Sequence, residues 1–210
     1  MQKTIWREKL ERGLLAIENI APDHDFYHFD QGEDFDPIVF AQDKPPRRAA
    51  VLVPLVWRGD RLKVILTQRT EHLPTHAGQI AFPGGSRDMG DQDLGVTALR
   101  EAQEEIGLES KFAKIIGASD NYFTRSGFLI TPIVALIDEN AQFLADEYEV
   151  AKIFELPFDF LIDPSQQKVH TMHYQGKLRE YCAIECEGYY VWGVTASLFK
   201  GLSRRLWQNL

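Results

Sequence analysis

The sequence predicts an α/β fold: an α/β/α sandwich with a mixed central sheet, an N-terminal helical extension and a C-terminal helix. Three observations predict it. Apolar, β-rich runs recur between turn formers, other stretches space their apolar residues at helical intervals, and 210 residues suit one elaborated domain able to bury about 70% of its unfolded surface. Because strand-like and helix-like stretches are interspersed, helices are expected on both faces of the sheet.

From the N-terminus, Trp6, Leu10, Leu14 and Ile17 recur at helical spacing and predict an amphipathic helix laid against the main domain. Residues 22–36 then gather Asp23, Asp25, Asp30, Glu33, Asp34 and Asp36 among turn formers and read as a solvated linker. The expected division is therefore 1–47, helix and acidic linker packed on the main domain, and 48–210, the main domain. Residues 49–57 and 62–67 are apolar and β-rich, and Arg58-Gly59-Asp60 joins them as a hairpin. Pro54 brings no amide N–H to a ladder, which predicts an edge strand or a bulge. A helix is expected from about Asp91–Asp93 to Gly107, with Val96, Leu99, Ala102 and Ile106 on its buried side. Residues 114–117, 130–137, 167–175 and 178–186 read as strands, and 195–208 as a closing helix.

Composition narrows the function classes. With 31 acidic against 23 basic residues the net charge is -8, which disfavours a broad nucleic-acid footprint and points to a small substrate. Charges break up the apolar residues of the first turns, and no run reaches the roughly 18 apolar residues of a membrane span, so a cytoplasmic protein without membrane contact is expected. Cys182 and Cys186 in an extended segment would stand ~13 Å apart, too far to bridge, and read as reduced, half-buried thiols. The six histidines lack metal-site spacing, and His72 and His76, separated by Pro74, read as loop residues at a cleft rim. Trp6, Trp192 and Trp207 suit either internal packing or a homodimer surface.

The chemistry concentrates at Arg100-Glu101-Ala102-Gln103-Glu104-Glu105-Ile106-Gly107-Leu108, preceded by Phe82-Pro83-Gly84-Gly85. On a helix, Glu101, Glu104 and Glu105 share one face within about one ~5.4 Å turn, where like charges repel. A solvated acidic face is the plain reading. Hard divalent cations are the chemical one, since Mg²⁺ and Mn²⁺ take carboxylate oxygens and keep waters for a phosphorylated substrate.

These residues resemble the signature of the Nudix hydrolases, matched in full over residues 100–108. The upstream half departs. Counting back from Arg100 puts Ser86 and Gln92 where the signature has Gly and Glu, whereas starting at Gly85 puts Asp91 at the acidic position with one extra loop residue. Residues 65–70, Gly78 and Phe82-Pro83-Gly84-Gly85 are similar to the extra motif of the coenzyme A pyrophosphatase branch, except that Pro74 stands where that motif has Arg. Residues 126–132, 149–157 and 192–196 are also similar to that branch.

The resemblance implies the α/β/α sandwich and a Mg²⁺- or Mn²⁺-dependent hydrolase of a nucleoside diphosphate derivative, foremost coenzyme A, giving 3′-phosphoadenosine 5′-phosphate and 4′-phosphopantetheine. ADP-ribose or a dinucleotide is the alternative substrate, and a ligand-binding or isomerase member of the fold the alternative class. It implies Glu101, Glu104, Glu105 and the Gly85 carbonyl at the metal, and Glu101, Glu104 and Arg100 in catalysis, with Arg100 orienting the carboxylates. Arg69, Phe82 and Gly84 are expected at the substrate, Arg69 pairing with Glu104 or Glu105 or reaching a phosphate. Glu147 or Glu149, in a stretch that also offers Asp146, is expected as a distal base or ligand.

Overall fold

The computed structural model of the chain describes residues 2–17, 26–27, 45–174 and 176–207. Helix α1 (Gln2–Gly13) and a two-residue strand β1 (Phe26–Tyr27) precede the long strands β2 (Arg47–Arg58) and β3 (Arg61–Arg69). Short strands β4 (Ile80–Ala81) and β5 (Gly84–Ser86) lead to helix α2 (Leu94–Ile106). Strands β6 (Ala113–Ala118), β7 (Asn121–Phe123), β8 (Phe128–Ile137) and β9 (Val150–Pro157) follow, then the short helix α3 (Phe158–Leu161). Strands β10 (Lys168–Tyr174), β11 (Lys177–Cys186) and β12 (Tyr189–Trp192) and helix α4 (Val194–Trp207) complete the order.

Among the described residues β1–β9 form one mixed sheet in which β2 lies between parallel β8 and antiparallel β3, with β9 on the far side of β3. Strand β2 is buried on both faces, as a central strand with a parallel neighbour requires. Its residues alternate strictly: Ala50, Leu52 and Val56 join the core under α2, while Val53 and Leu55 join the core under α1 and α4. The sheet is thus sandwiched between helices. Ala98 and Ala102 are fully buried, and their small side chains let α2 lie close on the sheet.

The hairpin forms as the sequence predicts, with Arg58 paired to Arg61 and Gly59 at φ +60°. Pro54 is different: β2 is a central strand, not an edge. Its missing amide falls where the ladder is already interrupted, between residues 49–51, which pair with β5, and residues 55–58, which pair with β3. Val96 also departs from expectation, being 39% exposed, because Leu94, Ala98, Ala102 and Ile106 form the stripe that meets the sheet.

The N-terminal stripe is shorter than its spacing suggests. Trp6 and Leu10 are buried, the Trp6 ring lying 5.5 Å from Phe158, but the helix ends at Gly13 and Leu15 continues as an isolated bridge to Ala118. At Gly13 a Cβ would fall 2.8 Å from Leu206, so α1 and α4 meet backbone to side chain. Asp120 fixes the same corner through ion pairs with Arg204 and Arg205. Of the linker stretch 22–36 only Phe26 and Tyr27 are described, paired in parallel with Asn121 and Tyr122; the rest, with His24 and His28, lies outside the described residues.

Strands β10, β11 and β12 make a separate antiparallel sheet. Cys182 and Cys186 point from β11 into the core as free thiols, fully buried rather than half-buried. No helix among the described residues is long and apolar enough to cross a membrane.

Helix α2 ends on Gly107 at φ +65°, whose amide donates to Gln103 O at 3.0 Å, and a Cβ there would press on Leu144 at 3.1–3.2 Å. Gly107→Ala should therefore cost about 1–2 kcal/mol of stability, read as a lower urea midpoint with an unchanged slope.

Candidate active site

Local signals place the acidic helix. Asp93 caps it, its Oδ1 accepting from Val96 N at 2.9 Å, and Gly107 closes it. The helix then lies across β5 with almost no clearance. A Cβ on Gly85 would stand 2.6–2.7 Å from the Glu101 carboxylate, and one on Gly84 would stand 2.5 Å from Ala50 O and Val51 Cα. Only glycines let a carboxylate approach the β5 backbone this closely.

Arg100 ties the helix to the loop before it. Its Nε and Nη2 donate to the Asp91 carboxylate at 3.2 and 3.1 Å, and Nη2 also donates to Ser86 O at 3.0 Å. Its Nη1 meets Glu101 at 2.9 Å and Glu104 at 3.0 Å. Asp91 is buried and also accepts from Thr97 Oγ1 at 2.9 Å and Asp88 N at 3.0 Å. The Arg100 hydrogen bonds, helped by those from Asp88 and Thr97, outweigh burial and hold its carboxyl at about 2. The same contacts raise the Arg100 guanidinium. Asp91 thus anchors Arg100, and Thr97, which sequence reasoning missed, supports it.

Glu105 is the electrostatic opposite. It is 7% exposed, and no ion pair closes on it among the described residues. Burial pushes its carboxyl up to about 8, with Glu101 and Glu149 adding repulsion and Arg69 and the Gly84 amide acting in the other direction. Burial also raises Glu101, against the pull of Arg100. Adjacent carboxylates poised this way have little means of both ionising unless a cation joins them.

A distant loop completes the cluster. Leu144 N donates to Ile106 O and Asp146 N to Glu105 O, both at 2.9 Å, while Thr70 N donates to Glu149 O at 3.0 Å. Stapled to the end of α2 and to the end of β3, the loop sets Glu149 3.7 Å from Arg69 Nη1. The buried Arg69 Nε has no hydrogen-bond partner.

The structure brings together Glu101, Glu105, Gly84, Gly85, Arg69 and Glu149. Arg100 meets Glu101 at the edge of this cluster, whereas Glu104, Glu147 and Phe82 are placed elsewhere. Glu104 is 59% exposed and held on the outer side by Arg100, so Arg69 pairs with Glu149 rather than with Glu104 or Glu105. Glu147 is exposed, and Asp146 accepts from Tyr148 N at 2.8 Å to shape the turn. Phe82, expected at the substrate, is a core residue with its ring 4.8 Å from Phe199, because the strand turns it toward α4. Gly84 serves Glu105 through its amide.

Among the described residues no three acid, histidine or cysteine side chains gather around one point as a complete metal cage. Glu101 and Glu105 nonetheless fit a hard cation such as Mg²⁺, which is held by one or two carboxylates and completes its shell with water and substrate phosphate. The buried, unpaired Glu105 is the observation that such an ion would answer.

A family model described as NUDIX domain matches residues 46–169. A protein of Yersinia pestis (strain Pestoides F), named an uncharacterized Nudix hydrolase NudL, is 37% identical over 160 residues, covering 76% of this chain and 80% of that protein. A NudL of Yersinia pseudotuberculosis (serotype O:1b, strain IP 31758) matches to the same extent. Among solved structures, a C. elegans Ap4A hydrolase binary complex matches with a TM-score of 0.46 and 20% identity over 53% of this chain and 80% of that one. The NUDIX domain of Shewanella oneidensis NrtR complexed with ADP ribose matches with a TM-score of 0.43 and 22% identity over 60% of this chain and 80% of that one.

Asp91 titrates below its ordinary 3.8, so its contribution is complete above that value and disappears as the pH falls toward 2. Asp91→Asn should lower the melting temperature at pH 5–8, and the gap from wild type should close as thermal melts are taken from about pH 4 down to 2.

Proposed function

The chain belongs to the Nudix hydrolase family, a family of pyrophosphohydrolases, and from that premise we propose that it cleaves the diphosphate of coenzyme A or its derivatives by water attack on phosphorus. The products are 3′-phosphoadenosine 5′-phosphate and 4′-phosphopantetheine. The observation that carries the site is the buried, unpaired Glu105 beside Glu101, facing Arg69 and Glu149. Phosphoanhydride cleavage needs the charge on the phosphoryl oxygens neutralised and a water held in line. Glu101 and Glu105 would hold Mg²⁺ or Mn²⁺, with the Gly85 carbonyl as a further donor, and such an ion would supply charge neutralisation at the phosphate and a more acidic bound water. Arg69, whose Nε has no acceptor, offers its free donors to a substrate phosphate. Glu149 accepts the proton of the attacking water from across the cleft, and Arg100 keeps Glu101 in place. Glu104, held by Arg100, would have to leave that ion pair to act as a further ligand.

Coenzyme A is favoured by the branch motif at residues 65–70, Gly78 and residues 82–85. Pro74, in place of that motif's Arg, favours a second reading, the same chemistry on ADP-ribose or another nucleoside diphosphate derivative. Product-resolved hydrolysis of coenzyme A beside ADP-ribose and a dinucleotide, with Mg²⁺, Mn²⁺ or chelator, decides between them. Metal-dependent release of 4′-phosphopantetheine, faster than turnover of the others, is the expected result; preference for ADP-ribose would reject coenzyme A and keep the mechanism.

Glu105→Gln should lower turnover by roughly 10²–10³-fold, the scale on which one catalytic electrostatic partner acts. Ionising Glu105 in the metal-free protein costs stability as the pH rises from 4.5 through about 8. Metal-free Glu105→Gln should therefore melt above metal-free wild type at pH 9 and close to it at pH 4, which separates loss of chemistry from loss of fold.

A further inference from the structure

Resting on the hydrolase reading above, we infer that Tyr148, backed by His72, is the platform on which the nucleobase of the substrate stacks. Tyr148 is 67% exposed, yet its backbone is pinned on both sides. Its amide donates to Asp146 Oδ1 at 2.8 Å, and its carbonyl accepts from Thr70 Oγ1 at 2.8 Å. Its ring lies 4.9 Å from the exposed His72 ring at an interplanar angle of 58°. A large aromatic held in water by an ordered backbone gains nothing from the core, and neither ring belongs to a buried cluster of this fold.

The position decides what such a surface meets. Tyr148 precedes Glu149, and His72 follows Arg69 by three residues, so the ring pair is carried by the same two segments that bring Glu149 to Arg69. Thr70 hydrogen-bonds to both Tyr148 and Glu149, so the platform and the phosphate-facing pair are carried by one rigid junction. A nucleoside diphosphate anchored by its phosphates at Arg69 extends its flat, weakly hydrated base outward, and a planar ring is the partner that takes it in any rotational setting. Stacking of one base on one aromatic ring corresponds to about a tenfold gain in affinity or more.

The test titrates ADP and the base-free methyl diphosphate, each with Mg²⁺, into wild type, Tyr148→Ala, Tyr148→Phe and His72→Ala by calorimetry, beside the hydrolysis assay. Tyr148→Ala should weaken ADP about tenfold and leave methyl diphosphate within about twofold, whereas Tyr148→Phe should keep ADP near wild type because stacking needs the ring and not the hydroxyl. His72→Ala should weaken ADP by a smaller factor. Near-wild-type ADP binding by Tyr148→Ala, or equal loss of both ligands, overturns the platform. If wild type still hydrolyses its nucleotide substrates in that case, only this inference falls. A wild type that hydrolyses no nucleoside diphosphate derivative sinks the functional reading and takes the platform with it.

Discussion

Carboxylates resist being drawn together out of water, and the arrangement around α2 is organised by how that resistance is met. Glu101 and Glu105 are pressed against β5, one answered by Arg100 and the other left without an ion pair. Arg100 spends its donors on Asp91, Ser86, Glu101 and Glu104, so it cannot also neutralise Glu105. The fold thus discharges one side of the acidic face internally and leaves the other without an ion pair among the described residues. That asymmetry is what separates this helix from an ordinary solvated acidic face, in which every carboxylate would keep its water.

Holding such a face in position is the work of neutral parts. Ala98 and Ala102 bring the helix close to the sheet, and Gly84 and Gly85 let its carboxylates reach the β5 backbone. Strand β2, buried on both sides, gives β5 a rigid support. From the other direction β3 and the loop before β9 meet in the hydrogen bonds of Thr70, which deliver Arg69 and Glu149 together. Glu101, Glu105 and Arg100 thus sit on α2 and Arg69 on β3, and the loop that brings Glu149 is fastened to both of those elements.

The family match spans residues 46–169, whereas α1, most of the second sheet and α4 lie outside it. These additions are fastened to the main sheet through the core containing Trp6, Phe158 and Phe199 and through Asp120 with Arg204 and Arg205. Helix α4 also reaches the site's foundation, since Phe199 packs on Phe82 and Thr195 Oγ1 donates to Ile80 O at 2.8 Å. They support the segment that leads into the strand carrying the glycines.

What the sequence determined by itself was local. A helix from about Asp91–Asp93 to Gly107, with Glu101, Glu104 and Glu105 on one face, could be read because start signals, a glycine stop and helical spacing act within a few residues. The hairpin at Gly59 and the strands β2, β3, β6, β8, β10 and β11 were legible for the same reason, whereas β9 and the shorter strands were not. Long-range packing decided the rest. Pro54 sits in a central strand because the ladder beside it is interrupted there, and Val96 is exposed because Leu94 and Ala98, in its place, continue the stripe of Ala102 and Ile106 against the sheet. Asp91 serves Arg100, Phe82 serves the core, and Glu149 rather than Glu147 faces the cluster. Each outcome depends on a partner far away in the chain or on which way one strand turns a side chain, and neither is encoded in local spacing. Desolvation of Glu105 belongs to the same class: its carboxyl is pushed up only when the sheet, the glycines and the loop close around it.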